Sequence, residues 1–206
     1  MNQLDTEFRP PVTIAITGTH STGKTTFITR LAEELCRNRI EAAIVGDLGA
    51  QALQLGFPIL SRHTWASTLW IITRGISNEL AAWQRADVVL IDRAIPDALG
   101  YYDAALEFSG RQRDPNYDDL EQIVTAHSRN YDLLLRTVLD PSVPLGDNKP
   151  RDTDLEFRAC ADAHVDKVLR RLDIPHDTLT FASHDRAIIE AIAFIDGRLN
   201  GVDAPR

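Results

Sequence analysis

A chain of 206 residues, 44% hydrophobic and 25% charged, has the length of one compact domain and enough apolar content to form a core without disulfide staples. Thirty acidic against twenty-two basic residues give a net charge of −8, which disfavours duplex nucleic acid as a partner and leaves at most a local basic patch to draw in polyanions. Cys36 and Cys160, both read as members of apolar helical stripes, provide no disulfide framework or metal cluster; with no membrane-length apolar run and no signal-like start, the sequence reads as soluble and cytoplasmic.

Val12 to Thr17 is short, β-branched and apolar on both faces, the pattern of a buried parallel strand, and it runs directly into Gly18. Phe27, Ile28, Leu31, Ala32, Leu35 and Cys36 then recur at helical spacing and predict a helix from Lys24 to Arg39. Ala42 to Val45 reads as a second strand ending at Gly46-Asp47. Val88 to Ile91 reads as a third, ending at Asp92-Arg93. Between them Trp65, Leu69, Ile72, Ile76, Leu80 and Trp83 mark a long helix that returns the chain for parallel pairing. Two further stripes, Ile95 to Leu106 and Leu120 to His127, precede a fourth strand from Leu133 to Val138. Leu139 to Asp152 holds three prolines, a glycine and no periodicity, which predicts a flexible loop. A helix from Phe157 to Leu172, a fifth strand from Asp177 to Phe181 and a closing helix over Ile188 to Leu199 complete an α/β parallel sheet.

Gly18-Thr19-His20-Ser21-Thr22-Gly23-Lys24-Thr25 has two glycines at the spacing of a phosphate-binding loop, followed by Lys and Thr, with strand before and helix after. Glycines let successive N–H groups turn inward, and the helix N-terminus adds its dipole, so the segment can cradle phosphate oxygens. Of the basic residues only Lys24, Lys149 and Lys167 are lysines, so a lysine at this position stands out from an arginine-rich background. Lys24 is expected to bridge the β- and γ-phosphates of ATP and Thr25 to offer a hydroxyl to Mg²⁺, while Thr26 caps or packs.

In open parallel sheets ligands bind outside the carboxyl ends of the strands, which brings Asp47 and Asp92 beside this loop. Asp92 can hold a Mg²⁺-bound water or accept a proton from a phosphoryl acceptor, with a helix N-cap as its alternative. Asp47 is a second candidate base, with an ordinary turn as its alternative. Arg93 is suited to clamp a phosphate or the transition state, and otherwise forms a salt bridge. Asp97 and Tyr101 follow Arg93 at helical spacing and form a face suited to an acceptor pocket. Trp70 is a candidate for stacking on a substrate base, whereas Trp65 belongs to the apolar stripe. His20 and His63 fit polar surface or capped groups better than catalytic ones.

With these segments in hand, the chain resembles the P-loop kinases of nucleosides and nucleotides over nearly its full length. The stretch from Asp92 to Tyr102, DRAIPDALGYY, is similar to the Asp-Arg segment after the third strand of thymidylate kinases, and the layout is similar to nicotinamide riboside kinases and related small AAA-type ATP-binding proteins. The resemblance implies a P-loop NTPase fold with strand order 2-3-1-4-5, ATP phosphates at Gly18 to Thr25, Mg²⁺ near Thr25 and Asp92, and acceptor contacts near Asp47 and Arg93. It also implies a lid over residues 139–158 with the cations Arg136, Lys149, Arg151 and Arg158 in or beside it, Arg151 being the foremost candidate to meet the transferred phosphate. A lid has an independent physical reason, since a kinase must exclude water from ATP. The Arg-Glu-Pro-Gly-Gly stretch of thymidylate kinases and the Glu-Arg-Ser form of deoxynucleoside kinases are both absent, which leaves the acceptor open.

The expected function is therefore transfer of the γ-phosphoryl group of ATP to a nucleoside, nucleotide or similar small acceptor. A homodimer remains open. An ATP-dependent switch acting on a protein partner is the alternative, disfavoured because Arg93, not a water-activating glutamate, follows Asp92. A polynucleotide end kinase conflicts with the acidic balance.

Overall fold

The computed structural model describes residues 10–46, 48–140 and 154–201. Strands β1 (Val12–Thr17), β2 (Ala42–Val45), β3 (Val88–Asp92), β4 (Leu133–Thr137) and β5 (Asp177–Leu179) form one parallel sheet in the order β2-β3-β1-β4-β5. Every residue of β1 is buried, as its apolar run on both faces requires. The helices are α1 (Lys24–Arg37), α2 (Leu48–Gln54), α3 (Trp65–Ala82), α4 (Pro96–Ser109), α5 (Tyr117–Ser128), α6 (Leu155–Arg171) and α7 (His184–Leu199).

Two apolar cores lie on the two faces of the sheet. On one, Ile14, Ile16, Val88 and Leu90 meet Phe27, Leu31 and Leu35 of α1 and Ile188 and Ile195 of α7. On the other, Ala15, Val89 and Ile91 meet Ile72 of α3, Leu99 of α4, Leu120 of α5, and Phe157 and Val165 of α6. The alternation of these strand residues between the cores is the two-residue period of a strand covered by helices on both sides.

Register fixes the site. Ile16 stands opposite Asp92 and Thr17 opposite Arg136, so β1, β3 and β4 end side by side where the chain leaves β1 for the loop Gly18–Gly23. The Arg93 and Ala94 amides both donate to Ile16 O, at 3.1 and 2.9 Å. Arg93 itself is left-handed, with φ 84°, a strained backbone for a residue with a side chain.

Several sequence expectations change. Helix α1 ends at Arg37, because the chain turns through a left-handed Arg39. Cys36 is exposed and lies off the apolar stripe. Helix α2 was not expected, since Gly49 weakens it and it buries only Leu48 and Ala52. Strand β5 stops at Leu179, and Phe181–Ser183 form a 3₁₀ turn closed by a Thr180–Ser183 capping box. The end of the expected lid is helical, because α6 starts at Leu155 with Asp154 Oδ1 accepting from the Phe157 amide at 2.9 Å.

Candidate active site

The loop from Gly18 to Gly23 needs both glycines. Gly18 has φ 128°, and a Cβ there would overlap the Thr137 hydroxyl at the end of β4; Gly23 caps α1 in the left-handed region with φ 86°. No side chain caps α1, so the N–H groups of its first turn are left for a ligand. Thr22 stiffens the loop from within, donating to Thr19 O at 2.9 Å and lying 2.6 Å from the Thr137 hydroxyl.

Lys24 is folded back onto its own loop. Its Nζ donates to Thr19 O and, at 3.2 Å, to Thr22 Oγ1, and the residue is only 4% exposed. Burial, reinforced by the Arg93 guanidinium, pushes its pKa down to about 7, while Asp97, Asp92 and Asp162 oppose the shift. A polyphosphate in the loop would give this ammonium the direct anionic partner it lacks among the described residues.

Thr25 Oγ1 donates to Asp92 Oδ2 at 2.6 Å. The two residues expected near a metal are thus in direct contact, and a hydroxyl beside a carboxylate is an all-oxygen donor set that suits Mg²⁺. Asp92 does not cap α4, which begins at Pro96 with no side-chain cap. Thr26 is exposed on α1.

Arg93 leaves the same strand end, with its Nη1 3.6 Å from Asp97 Oδ2 and 3.5 Å from the Tyr101 hydroxyl. The salt bridge considered from sequence therefore forms, although its length and the partial exposure of Arg93 leave the guanidinium able to turn toward an anion.

Asp97 and Tyr101 lie one turn apart on a face of α4, while Arg93 stands outside the helix at a left-handed turn, and where an acceptor pocket was expected that face meets the Gly18–Gly23 loop. Asp97 Oδ1 accepts from Thr17 Oγ1 and, at 2.9 Å, from the Gly18 amide, and burial raises the pKa of its carboxyl. The Tyr101 hydroxyl accepts from the His20 amide at 2.9 Å and lies 3.0 Å from His20 Nδ1 and 3.3 Å from Thr19 Oγ1. Both side chains turn onto the loop, although Asp97 Oδ2 is buried without a hydrogen-bond partner among the described residues and faces the Arg93 guanidinium at 3.6 Å.

Trp70 stacks on Phe57, with ring centroids 5.3 Å apart, so its expected base-stacking face already has a partner. Trp65 packs against the core and donates to Asn116 O at 3.1 Å. His63 is buried beside Tyr101, and burial pushes its pKa down to about 4, a neutral imidazole held by Leu60 O at 2.9 Å.

The expected lid cations separate. Arg136 belongs to β4, not to a loop, and pairs with Asp162 at 3.1 Å and Asp166 at 3.4 Å on α6. Arg158 is 4% exposed, with its Nε donating to His20 O at 3.2 Å and its Nη2 to Ser21 O at 3.0 Å. It braces the loop from α6. Lys149 and Arg151, like the candidate base Asp47, lie outside the described residues.

Sequence reasoning missed the support behind the Arg93 turn. The Ile95 amide donates to the Tyr131 hydroxyl at 3.2 Å, which donates to Glu79 Oε1 at 3.3 Å, and Glu79 Oε2 pairs with His127 Nε2 at 2.6 Å. Burial raises the pKa of Glu79, against the hydrogen bond from His127. One signal was present: Glu79 follows Ile72 by two helical turns, so a carboxylate occupies the inward stripe of α3. Also missed was His184 at the start of α7, whose ring packs against Gly23 and, edge-on at 5.4 Å, against Phe27.

The family described as AAA domain matches residues 13–186. No curated relative matches the sequence. Among solved structures, thymidylate kinase from Candida albicans is similar at 14% identity and TM-score 0.61, covering 93% of each chain. Deoxyadenosine kinase from M. mycoides is similar at 13% identity and TM-score 0.63, covering 88% of this chain and 99% of its own. The NadR protein, solved with NR, is similar at 16% identity and TM-score 0.63; the match covers 95% of this chain and about half, 53%, of the NadR chain. At such identities the likeness is one of fold.

Proposed function

The chain belongs to the AAA domain family, and on that premise we propose that it is an ATP-dependent small-molecule kinase whose acceptor is a nucleoside, a nucleotide or a similar hydroxyl or phosphate compound. The observation that carries the reading is the 2.6 Å contact of Thr25 with Asp92, made at the mouth of a phosphate loop with Lys24 and Arg93 alongside. Two of the structural neighbours are a thymidylate kinase and a deoxyadenosine kinase and the third was solved with NR, which suggests the acceptor class.

ATP would lay its phosphates across the N–H groups of the first turn of α1, Lys24 to Thr26. Gly18 to Gly23, with His20, Ser21 and Thr22 among them, would form the turn around the phosphates, the Gly18 and His20 amides being held by Asp97 and Tyr101. Lys24 would leave Thr19 O for the β- and γ-phosphate oxygens, regaining its full charge there. Thr25 and Asp92 would hold Mg²⁺, which when bound neutralises phosphate charge. Arg93 would exchange its long contact with Asp97 for the transferred phosphoryl group, and Asp97 and Tyr101 would keep the loop shaped for the transition state. The acceptor oxygen bonds to the γ-phosphorus as the bond to the ADP oxygen breaks, and a hydroxyl proton passes to Asp47 or Asp92. Catalysis of this kind is mostly positioning and charge neutralisation.

The test is mass spectrometry of pooled nucleosides, nucleotides and hydroxyl metabolites incubated with the protein and MgATP, with Lys24→Ala as control. A compound heavier by one phosphoryl group, absent with the variant, names the acceptor. Slow ADP release with no acceptor gaining mass would replace the kinase with a switch acting on a protein partner.

A further inference from the structure

Helices α4 and α6 approach so closely that a Cβ on Gly100 would lie 2.8 Å from Val165 Cα. The side chains flanking this crossing are thereby brought together, and one group among them lies outside the phosphate loop, at the edge of the apolar core against which Cys160 packs. Glu107 projects from the last turn of α4, while Cys160 and His164 project from α6 four residues apart and hence on one face. His164 Nε2 lies 2.9 Å from Glu107 Oε2, and Cys160 Sγ lies 3.9 Å from Glu107 Oε1. One ligand atom from each residue falls within 4.8 Å of the other two.

We propose that Glu107, Cys160 and His164 form a Zn²⁺ site that joins α4 to α6. Bonds of about 2.0–2.3 Å from a tetrahedral zinc place neighbouring ligand atoms about 3.3–3.8 Å apart. The His164–Glu107 pair would open by a few tenths of an ångström and Cys160 would close by up to about 1–1.5 Å, both within reach of side-chain rotation. A thiolate, an imidazole and a carboxylate are a borderline-soft donor set that favours zinc over Mg²⁺, which takes oxygen ligands. Water would complete the fourth position. His164 is buried, Cys160 half-buried and Glu107 exposed, so the ion has a route in from the Glu107 side.

The neighbouring charge is compatible with this assignment. Lys167 Nζ is 3.9 Å from Glu107 Oε2, but its side chain is 57% exposed and can turn into solvent when a dication takes its place. Without metal, His164 and Lys167 hold the Glu107 carboxyl below its usual range, while burial and the Glu107 charge push the Cys160 thiol up. Zinc binding therefore releases the thiol proton. Because α4 carries Asp97 and Tyr101 and α6 carries Arg158, the ion would tie together the two helices that brace the phosphate loop. The inference does not depend on the kinase reading.

The probe is zinc alone, added to the full chain after chelator treatment, under a non-coordinating reductant and without nucleotide. Equilibrium dialysis with elemental analysis should find about one zinc per chain, retained by Asp92→Asn and weakened at least about tenfold by Cys160→Ser and by His164→Gln. At a hundredfold excess over the dissociation constant, zinc should raise Tm by about 5–10 °C. Circular dichroism of the zinc-free variants separates loss of binding from loss of fold, and cobalt in place of zinc should give a thiolate-to-metal band that Cys160→Ser removes. Absence of stoichiometric uptake, or uptake equal in the parent and both ligand variants, overturns the site.

Discussion

Replacing Arg158 by Ala distinguishes a loop brace from a lid cation. In the folded protein the guanidinium donates to His20 O at 3.2 Å and Ser21 O at 3.0 Å from a nearly buried position, so truncation removes both bonds and leaves two loop carbonyls without this donor. Hydrogen bonds from a charged group contribute about 1.5–3 kcal/mol each. The longer bond belongs at the weak end of that range, and alanine regains a few tenths of a kcal/mol in helix propensity, so the net loss should be about 3 kcal/mol. For a chain of this size that is a fall in Tm of about 6–12 °C. If half of the lost free energy had been ordering the loop, ATP affinity drops by about tenfold. Calorimetry and ATP titration measure both without knowledge of the acceptor. A lid cation that meets only the transferred phosphate would instead lower kcat, with Tm and ATP affinity near the parent's. An Arg158→Ala protein that melts within a degree of the parent and binds ATP normally refutes the brace.

Lys24→Met should stabilise the free protein in a pH-dependent way. The folded pKa of about 7 lies below the unfolded value of about 10.4, so the unfolded chain holds the extra proton between them and stability rises with pH across that window. The strain of burying the charge is complete below pH 7 and relieved toward pH 10, so the gain in Tm from Lys24→Met should be largest near pH 6.5 and smaller near pH 9.5; an equal gain at both would contradict the shift. Asp92→Asn should weaken the Mg²⁺-dependent part of ATP binding about tenfold or more while sparing the fold, as read by calorimetric titration with and without the metal. Gly100→Ala gains about 1 kcal/mol of helix propensity but sets a methyl 2.8 Å from Val165 Cα and 3.0 Å from its amide nitrogen, backbone atoms that cannot rotate away. Overpacking of this kind costs about 1–3 kcal/mol or more, so Tm should fall by a few degrees, and a rise would mean the helices can separate freely.

The sequence by itself determined the strands of the sheet and the loop between Gly18 and Gly23, while the strand order was implied by the resemblance to P-loop kinases and is the one found. The strands and the loop rest on local rules: a β-branched run buried on both faces makes a strand, and a loop that works through consecutive backbone amides is written in consecutive residues. Asp92 and Arg93 were legible for the same reason, since strand ends of a parallel sheet lie together and register then sets Asp92 beside Ile16. The tertiary structure decided what the flanking side chains touch. Asp97, Tyr101 and Arg158 turn onto the loop because α4 and α6 cross beneath it, while Glu79, His127 and Tyr131 meet behind the Arg93 turn from α3, α5 and the turn before β4. Glu107 meets Cys160 and His164 only because Gly100 lets two helices approach. Spacing along one helix tells which residues share a face. It does not tell what that face meets, because the angle and depth of a helix crossing depend on the volumes of side chains from both partners.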